Sequence, residues 1–102
     1  MTAEVEPAFD DVIHASNRLQ ICAMLAAVEA LEFATVREAL AISDSVLSKH
    51  VKVLVNADYV QTSKVPYGSR TRTWLALTDH GRAALAHHLA ELRRIAAMAT
   101  TS

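Results

Sequence analysis

Apolar residues recur every three or four positions along most of the chain, and this spacing predicts amphipathic helices. Pro7 can open the first helix, and residues with short polar side chains precede the others as caps. Thr35 is followed three residues later by Glu38, and this pair predicts a capping box. The predicted helices span residues 7–15, 16–30, 35–41, 43–56 and 78–98.

The pattern changes to period two after Asp58, where β-branched and aromatic residues alternate with polar ones. This alternation predicts a strand over 59–65 and a returning strand over 71–77. The residues between them, 66–69, form a predicted turn. We therefore expect a β-hairpin directly before the last helix, and no more than a bridge of strand at 32–34.

The segment Val36–Val60, VREALAISDSVLSKHVKVLVNADYV, is typical of a helix-turn-helix. The second helix of such a pair can lie in a DNA major groove, with the residues near its start against base edges. Its predicted buried stripe consists of Leu47, Val51, Leu54 and Val55. The candidate DNA contacts at its start and on its open side are Ser43, Ser45, Ser48, Lys49 and Lys52.

The charge of the chain is unevenly distributed, although the 102 residues carry a net charge of only −1. Residues 1–42 carry −5, whereas residues 43–74 carry +3. The positive charge therefore lies over the predicted helix-turn-helix and hairpin. A cationic surface of this kind is expected to bind the phosphates of double-stranded DNA.

Basic and small polar residues are also concentrated near the tip of the predicted hairpin. Arginine is attracted to a narrow minor groove by its enhanced negative potential, so such a tip can contact DNA beside the major groove. Trp74 lies on the face opposite Leu75 and is expected to pack against a helix or a partner subunit. The candidate DNA contacts of the hairpin are Lys64, Ser69, Arg70 and Arg72.

Three strings carry a resemblance to a known family: Leu47-Ser48-Lys49-His50-Val51, Asp58-Tyr59-Val60 and Leu77-Thr78-Asp79-His80-Gly81-Arg82. Their order and spacing resemble those of small stand-alone winged-helix DNA-binding proteins of MarR-like type, in the neighbourhood of the ArsR group. The resemblance covers nearly the whole chain. It implies a mainly α fold with a small β-hairpin, a winged helix-turn-helix of order α-α-β-α-α-β-β-α.

The same resemblance implies one domain over 1–102, with the helix-turn-helix at 35–57, the wing at 59–77 and a C-terminal dimerisation helix at 78–98. It implies a sequence-specific transcriptional regulator, a homodimeric repressor that binds a palindromic operator. The family usually has glycine where this chain has Asp58, because the backbone at that corner tends to be left-handed. Aspartate is among the few other residues that tolerate this conformation, so the corner can be kept.

The last predicted helix is about 30 Å long, more than one side of so small a domain can cover. Apolar residues along it repeat at intervals of four and three, as in a helix that pairs with another helix. The alternative is that the same stripe closes the core of its own chain. The candidate dimer contacts are Leu85, Leu89, Leu92 and Ala96.

The effector of such a regulator is not identified by the sequence. Two alternatives remain open, in which the protein senses a metal ion or the redox state. An ArsR-like metal site could draw on His80, His87, His88 and Glu91, although no cysteine lies near them. Cys22 could be a redox sensor, but its place on an apolar stripe favours a buried thiol of low reactivity. We expect neither a metal nor any other cofactor.

The sequence also argues against other classes of protein. It has no glycine-rich phosphate loop and no nucleophile in a recognisable setting, so an enzyme is not expected. No apolar run approaches the roughly 20 residues that span a membrane, and an acidic N-terminus with a single cysteine favours a cytoplasmic protein. A winged helix that binds another protein remains the main alternative to DNA binding, although such a face should carry exposed apolar anchors.

Overall fold

The structure is a computed structural model that describes residues 5–100, so the predicted domain limits at 1 and 102 lie outside it. Helices and strands follow in the order expected of a winged helix-turn-helix. They are α1 (Ser16–Ala26), β1 (Leu31–Glu32), α2 (Phe33–Leu40), α3 (Asp44–Asn56), β2 (Val60–Tyr67), β3 (Arg70–Leu77) and α4 (Asp79–Met98). The predicted fold class is confirmed.

The three strands form an antiparallel sheet in the order β1-β3-β2. β2 and β3 pair along their whole length, from Val60 opposite Leu77 to Tyr67 opposite Arg70. The turn between them is therefore two residues long, and Gly68 takes a φ of 60°, which suits a residue without a Cβ. β1 pairs only with Leu75 and Trp74, so the part of β3 nearer the turn has a single neighbour.

The core lies between the helices and one face of the sheet. Leu25 of α1, Leu47 and Leu54 of α3, and Leu75 of β3 are fully buried. Val51 completes the predicted stripe of α3, but Val55 is exposed, contrary to the prediction. Val55 is on the same side of the helix as Val51, but its side chain lines an open groove beside the sheet instead of the core.

The predicted first helix is wrong, because residues 7–15 contain only a short turn at 11–13. Asp10 organises this turn: its carboxylate accepts from the amide of Ile13, and its carbonyl accepts from the amide of His14. The amide of Ala8 donates to the carbonyl of His87 in α4 instead of serving a helix of its own. The segment is therefore held in an extended path by α4.

The predicted limits of two further helices also need correction. α1 ends at Ala26 rather than near residue 30, because the Ala26 carbonyl accepts from the Arg82 guanidinium and the chain must become extended for β1. α2 begins at Phe33, directly after β1, so Thr35 lies inside the first turn and the predicted capping box is absent. The predicted caps Ser43 and Thr78 accept from the amides of Val46 and Gly81 and are confirmed.

The corner between α3 and β2 is built as the sequence indicates. Asp58 has a φ of 63°, so aspartate does occupy the left-handed region there. The Thr78 hydroxyl donates to the Asp58 carbonyl at 2.6 Å, which ties the start of α4 to this corner. Gly81 is required by close packing, because a Cβ at this position would lie 2.1 Å from the carbonyl oxygen of Tyr59. These contacts fix the base of the hairpin relative to α3.

Two parts of the molecule project from the core. The hairpin β2–β3, called the wing below, is exposed from Gln61 to Arg72. The second half of α4 is exposed from Arg93 onward. As a result the molecule is elongated, with principal extents of 59 × 29 × 21 Å. Among the described helices, none is long and apolar enough to cross a membrane.

Candidate nucleic-acid interface

The outer face of α3 carries the small polar and basic residues selected from the sequence. Ser45, Ser48, Lys49 and Lys52 are all exposed. The hydroxyl of Ser43 accepts from the amide of Val46 and lies 3.2 Å from the hydroxyl of Ser45. Ser43 is thus engaged as the helix cap, so Ser45, Ser48, Lys49 and Lys52 form the open surface, called the α3 face below.

The opposite side of α3 is anchored firmly enough to hold that face in place. Leu47 and Leu54 are fully buried, and His50 is half-buried against α1. The two ring nitrogens of His50 lie 3.4 Å from the Asn17 amide nitrogen and 3.3 Å from the Arg18 guanidinium. Burial and the nearby charge of Arg18 lower the pKa of His50, which favours its neutral form. His50 therefore lies at the edge of the core and is not part of the α3 face.

An ion pair that the sequence analysis missed stands at the start of α3. The Arg37 guanidinium of α2 donates to the Asp44 carboxylate at 2.7 Å, and this hydrogen bond raises the pKa of Arg37. Asp44 also lies in the first helical turn, where a negative charge is stabilised by the helix dipole. Because Arg37 balances its charge, the Asp44 carboxylate adds little net negative charge beside the α3 face. Two residues seven positions apart on different helices give no local sequence signal.

A groove of about 480 Å³ separates the α3 face from the wing. Ser48 and Lys52 line its helix side, and Thr62 and Thr73 line its sheet side. Lys64 pairs with Thr73 across the strands and shares the face of Thr62, because alternate residues of a strand point the same way. Lys64 and the α3 face are therefore on the same side of the molecule.

The two wing arginines lie on the other face of the hairpin. Arg70 is paired with Tyr67 and Arg72 with Val65, so all four side chains share one face. The Arg72 guanidinium stacks 3.5 Å above the centre of the Tyr67 ring, and its Nε lies 3.4 Å from the Glu32 carboxylate. The sequence predicts these arginines as DNA contacts but carries no signal for these partners. The predicted cluster is thus divided between two faces, with Ser69 exposed in the turn between them.

The same contacts separate the basic residues into two groups. Among the described residues, Lys49, Lys52, Lys64 and Arg70 make no ion pair within 4.0 Å. Arg37 and Arg72 are both paired with carboxylates, and both line a second groove, of about 640 Å³, between α2 and the wing. The unpaired cations are the ones available to a polyanion.

The predicted dimer contacts on α4 fall into a buried and an open set. Leu85 is buried in the core of its own chain, and Leu89 packs partly against that core. Leu92 is half-buried and Ala96 is exposed, next to Ile95 and Met98, which are 42% and 64% exposed. The first half of the helix therefore closes the core of its own chain, whereas the second half leaves apolar side chains exposed.

The candidate metal ligands are not brought together. Both Glu91 oxygens accept from Arg94, at 2.7 and 2.8 Å, and this bonding lowers the pKa of Glu91. His80 lies beside Asp58 at the other end of α4, while His88 is fully buried and bonded to residues 10 and 14. In residues 5–100, no group of three histidine, cysteine or acidic side chains has the arrangement of a metal site.

Cys22 lies in an environment that makes a thiol unreactive. Its side chain points from α1 into the core and is fully buried there. Burial, followed by the nearby negative charge of Asp10, raises its pKa to about 11. Since the thiolate is the reactive form, this environment favours the structural interpretation of Cys22 over redox sensing.

Comparisons with known proteins agree with this architecture. A family model described as winged helix DNA-binding domain matches residues 17–96. An uncharacterised protein of Methanocaldococcus jannaschii is 31% identical over 78 residues, which cover 76% of this chain and 85% of that protein. The relationship therefore extends over most of both sequences.

Solved structures share the fold at lower sequence identity. A transcriptional regulator homologue from Pyrococcus horikoshii OT3 gives a TM-score of 0.82 at 24% identity, over 88% of this chain and 89% of that one. ZitR, a zinc-responsive MarR family member from Lactococcus lactis, gives 0.64 at 23% identity over 96% of this chain. This chain covers only 65% of ZitR. The shared fold includes the helix-turn-helix and the wing.

Proposed function

The chain belongs to the winged helix DNA-binding domain family, and on that premise we propose that it is a cytoplasmic transcriptional regulator that binds operator DNA as a homodimer. The family is one of DNA-binding domains rather than enzymes. The observation that carries the proposal is the α3 face, an exposed set of serines and lysines on a helix fixed by a buried stripe.

In the proposed complex the α3 face enters the major groove. Ser45 and Ser48 are short enough to let the helix approach base edges, while Lys49 and Lys52 reach phosphates or guanine acceptors. Lys64 lies across the groove from Lys52 and contacts the adjacent backbone. The predominantly small and charged composition of this surface favours DNA over a protein partner, whose binding site should be centred on aromatic or aliphatic anchors.

The wing adds contacts beside the major groove. Arg70 has no ion-pair partner among the described residues, so its guanidinium can enter the minor groove or bind a phosphate. Arg72 is already engaged by Tyr67 and Glu32 and contributes less. Ser69, at the tip, can donate to a phosphate oxygen.

We place the dimer contact on the second half of α4. Leu92, Ile95, Ala96 and Ala99 recur at intervals of three, one and three residues and lie where the helix has left the core of its own chain. Pairing of two such helices covers apolar side chains that one chain leaves open. A twofold axis at this seam requires a palindromic operator with half-sites about one helical turn apart.

A repressor is the simplest regulator of this kind, because a dimer seated on a promoter blocks access to the duplex without further contacts. The effector that controls release is not specified by any cluster in residues 5–100. ZitR is zinc-responsive, but the arrangement of His80, His88 and Glu91 gives no support to a similar role here.

Selection of bound duplexes from sheared genomic DNA tests the proposal. The wild-type protein should enrich one inverted repeat, and the Lys49→Ala/Lys52→Ala variant should lose that enrichment. Arg93→Ala removes an exposed cation of α4 away from the α3 face and should enrich the same repeat as the wild type. If the wild type retains no duplex even at low salt, the protein-binding alternative replaces this proposal.

The dimer is tested separately by sedimentation equilibrium. Ile95→Glu places a charge in the proposed seam and should convert the protein to a monomer with weaker operator binding. Ala83→Glu, at an exposed position in the first half of α4, is the control and should remain dimeric. An unchanged mass for Ile95→Glu would move the interface elsewhere.

A further inference from the structure

A histidine pair joins the N-terminal segment, residues 5–14, to the middle of α4. His88 is fully buried, and its Nδ1 accepts from the Asp10 amide at 3.0 Å. Its Nε2 lies 3.2 Å from Nδ1 of His14, whose side chain reaches the surface. Phe9 covers both rings, at centroid distances of 4.5 Å from His14 and 4.9 Å from His88. The role proposed above for α3 and the wing does not use this pair.

The protonation states of the pair follow from the donors. A backbone amide can only donate, so Nδ1 of His88 must be unprotonated and its proton must be on Nε2. That Nε2–H donates to His14, whose Nδ1 must therefore also be unprotonated. The arrangement is satisfied only when both imidazoles are neutral. A proton added to Nδ1 of His14 would set two N–H groups against each other, and one added to Nδ1 of His88 would oppose the Asp10 amide.

Several other contacts hold the segment, and its C-terminal end is anchored in the body of the protein, because Ile13 is fully buried in the core and the Val12 carbonyl accepts from the Arg18 guanidinium. The amide of Ala8 donates to the His87 carbonyl, the Glu6 carbonyl contacts the His87 ring, and the Tyr59 hydroxyl donates to the Asp10 carboxylate. Phe9, the largest apolar side chain of the segment, remains 46% exposed. Bonds to His87, His88 and Tyr59 therefore hold residues 5–11, whereas residues 12–14 stay in place through the core.

We propose that His14 and His88 form a proton-sensitive latch, which holds residues 5–11 against α4 at neutral pH and releases them in mild acid. The proton comes from solvent, which reaches the pair on the exposed side of His14. The His14–His88 hydrogen bond breaks, or His88 changes tautomer and loses the Asp10 amide. In either case residues 5–11 lose a buried contact, while Ile13 keeps its place in the core.

The charged groups around the pair act in both directions. Asp10 and Asp11 on the segment and Glu91 on α4 favour a protonated His88, but burial and the neighbouring His14 outweigh them and lower its pKa. From α1, Cys22 lies near Asp10 and Arg18 donates to the Val12 carbonyl, and from the α3–β2 corner Tyr59 bonds to Asp10. A lowered pKa means that the released state takes up the proton more readily. The N-terminal segment is thus fully bound to α4 above about pH 6.5, and its binding weakens as the pH falls below that value.

Amide hydrogen exchange, corrected for intrinsic rates, measures the latch in the whole chain and without DNA. The protection of Ala8 and Asp10 should fall by up to about tenfold per pH unit below pH 6.5. Leu54, in the centre of α3, should stay protected over the same range. Unchanged protection of Asp10 down to pH 5, or a parallel loss at Leu54, would overturn the proposal.

Substitution of the exposed histidine identifies the source of the pH dependence. His14→Gln offers His88 a carbonyl acceptor that is not protonated in this range, so the segment should stay protected to lower pH than in the wild type. His80→Gln removes an exposed histidine at the other end of α4 and should follow the wild-type curve. If His14→Gln also follows that curve, the pair is not the latch. None of these results depends on DNA binding.

Discussion

The α3 face and the wing are both basic and exposed, but the structure supports them differently. The α3 face rests on three buried side chains and on the contacts of His50, and its lysines have no ion-pair partner among the described residues. The wing is exposed over most of its length and is held mainly by the pairing of its own two strands. One of its two arginines is stacked and ion-paired.

This difference indicates that the α3 face and the wing contribute differently to DNA binding. A helix fixed by the core can place side chains against base edges with the accuracy that sequence recognition needs. A hairpin anchored only at its base can follow the DNA backbone and add charge, but it fixes position less well. We therefore expect substitutions on the α3 face to alter which sequence is bound, and substitutions on the wing to alter mainly how tightly.

The largest effect should come from the contact that fixes the two regions relative to each other. Gly81→Val places side-chain atoms against the Tyr59 carbonyl, where even a Cβ would lie at 2.1 Å, so α4 or the base of the wing must move. We expect a loss of about 3 kcal/mol in the free energy of unfolding, measured by urea denaturation. Ala83→Val, at an exposed position of the same helix, controls for helix propensity and should cost less than about 1 kcal/mol.

The next effect compares the two wing arginines. Arg70→Ala should weaken operator binding by about tenfold, because an uncompensated cation is lost. Arg72→Ala should weaken it by only about threefold, since its charge is already shared with Glu32. Fluorescence anisotropy at one salt concentration measures both. Equal losses, or the reverse order, would show that the stack on Tyr67 presents Arg72 to DNA rather than withholding it.

The smallest predicted effect is an increase in affinity for the operator. Glu32→Gln removes the carboxylate beside Arg72 and should tighten operator binding by about twofold, because the guanidinium then competes only with the Tyr67 stack. Glu29→Gln changes an exposed carboxylate outside β1 and serves as the control. Anisotropy titrations at low salt give the best resolution, because screening is weakest there. Weaker binding by Glu32→Gln would mean that Glu32 orients Arg72 for its contact.

Local chemistry explains which features were predictable from the sequence. The caps Ser43 and Thr78 and the stripe Leu47–Leu54 follow from interactions within a few residues, whereas the left-handed Asp58 was implied by the family resemblance. The α3 face follows from the same periodicity, because the positions that are not buried must be exposed. Most of the fold and the helix part of the candidate site were therefore accessible from pattern alone.

The features that were missed depend on distant partners. The path of residues 7–15 is decided by bonds to His87 and His88, about 80 positions away, so a helical pattern in that segment was misleading. Likewise, the Arg37–Asp44 pair and the stack of Arg72 on Tyr67 arise only once the elements are packed. The division of the wing cations between two faces required the strand register, which depends on the turn being two residues long.

The salt dependence of operator binding tests most directly whether the α3 face is the DNA-binding surface. Log affinity should fall steeply and linearly with log salt for the wild type, and the Lys49→Ala/Lys52→Ala variant should show a slope smaller by about two, because two phosphate contacts are lost. Arg93→Ala should keep the wild-type slope. An unchanged affinity and slope in the double variant would contradict the account.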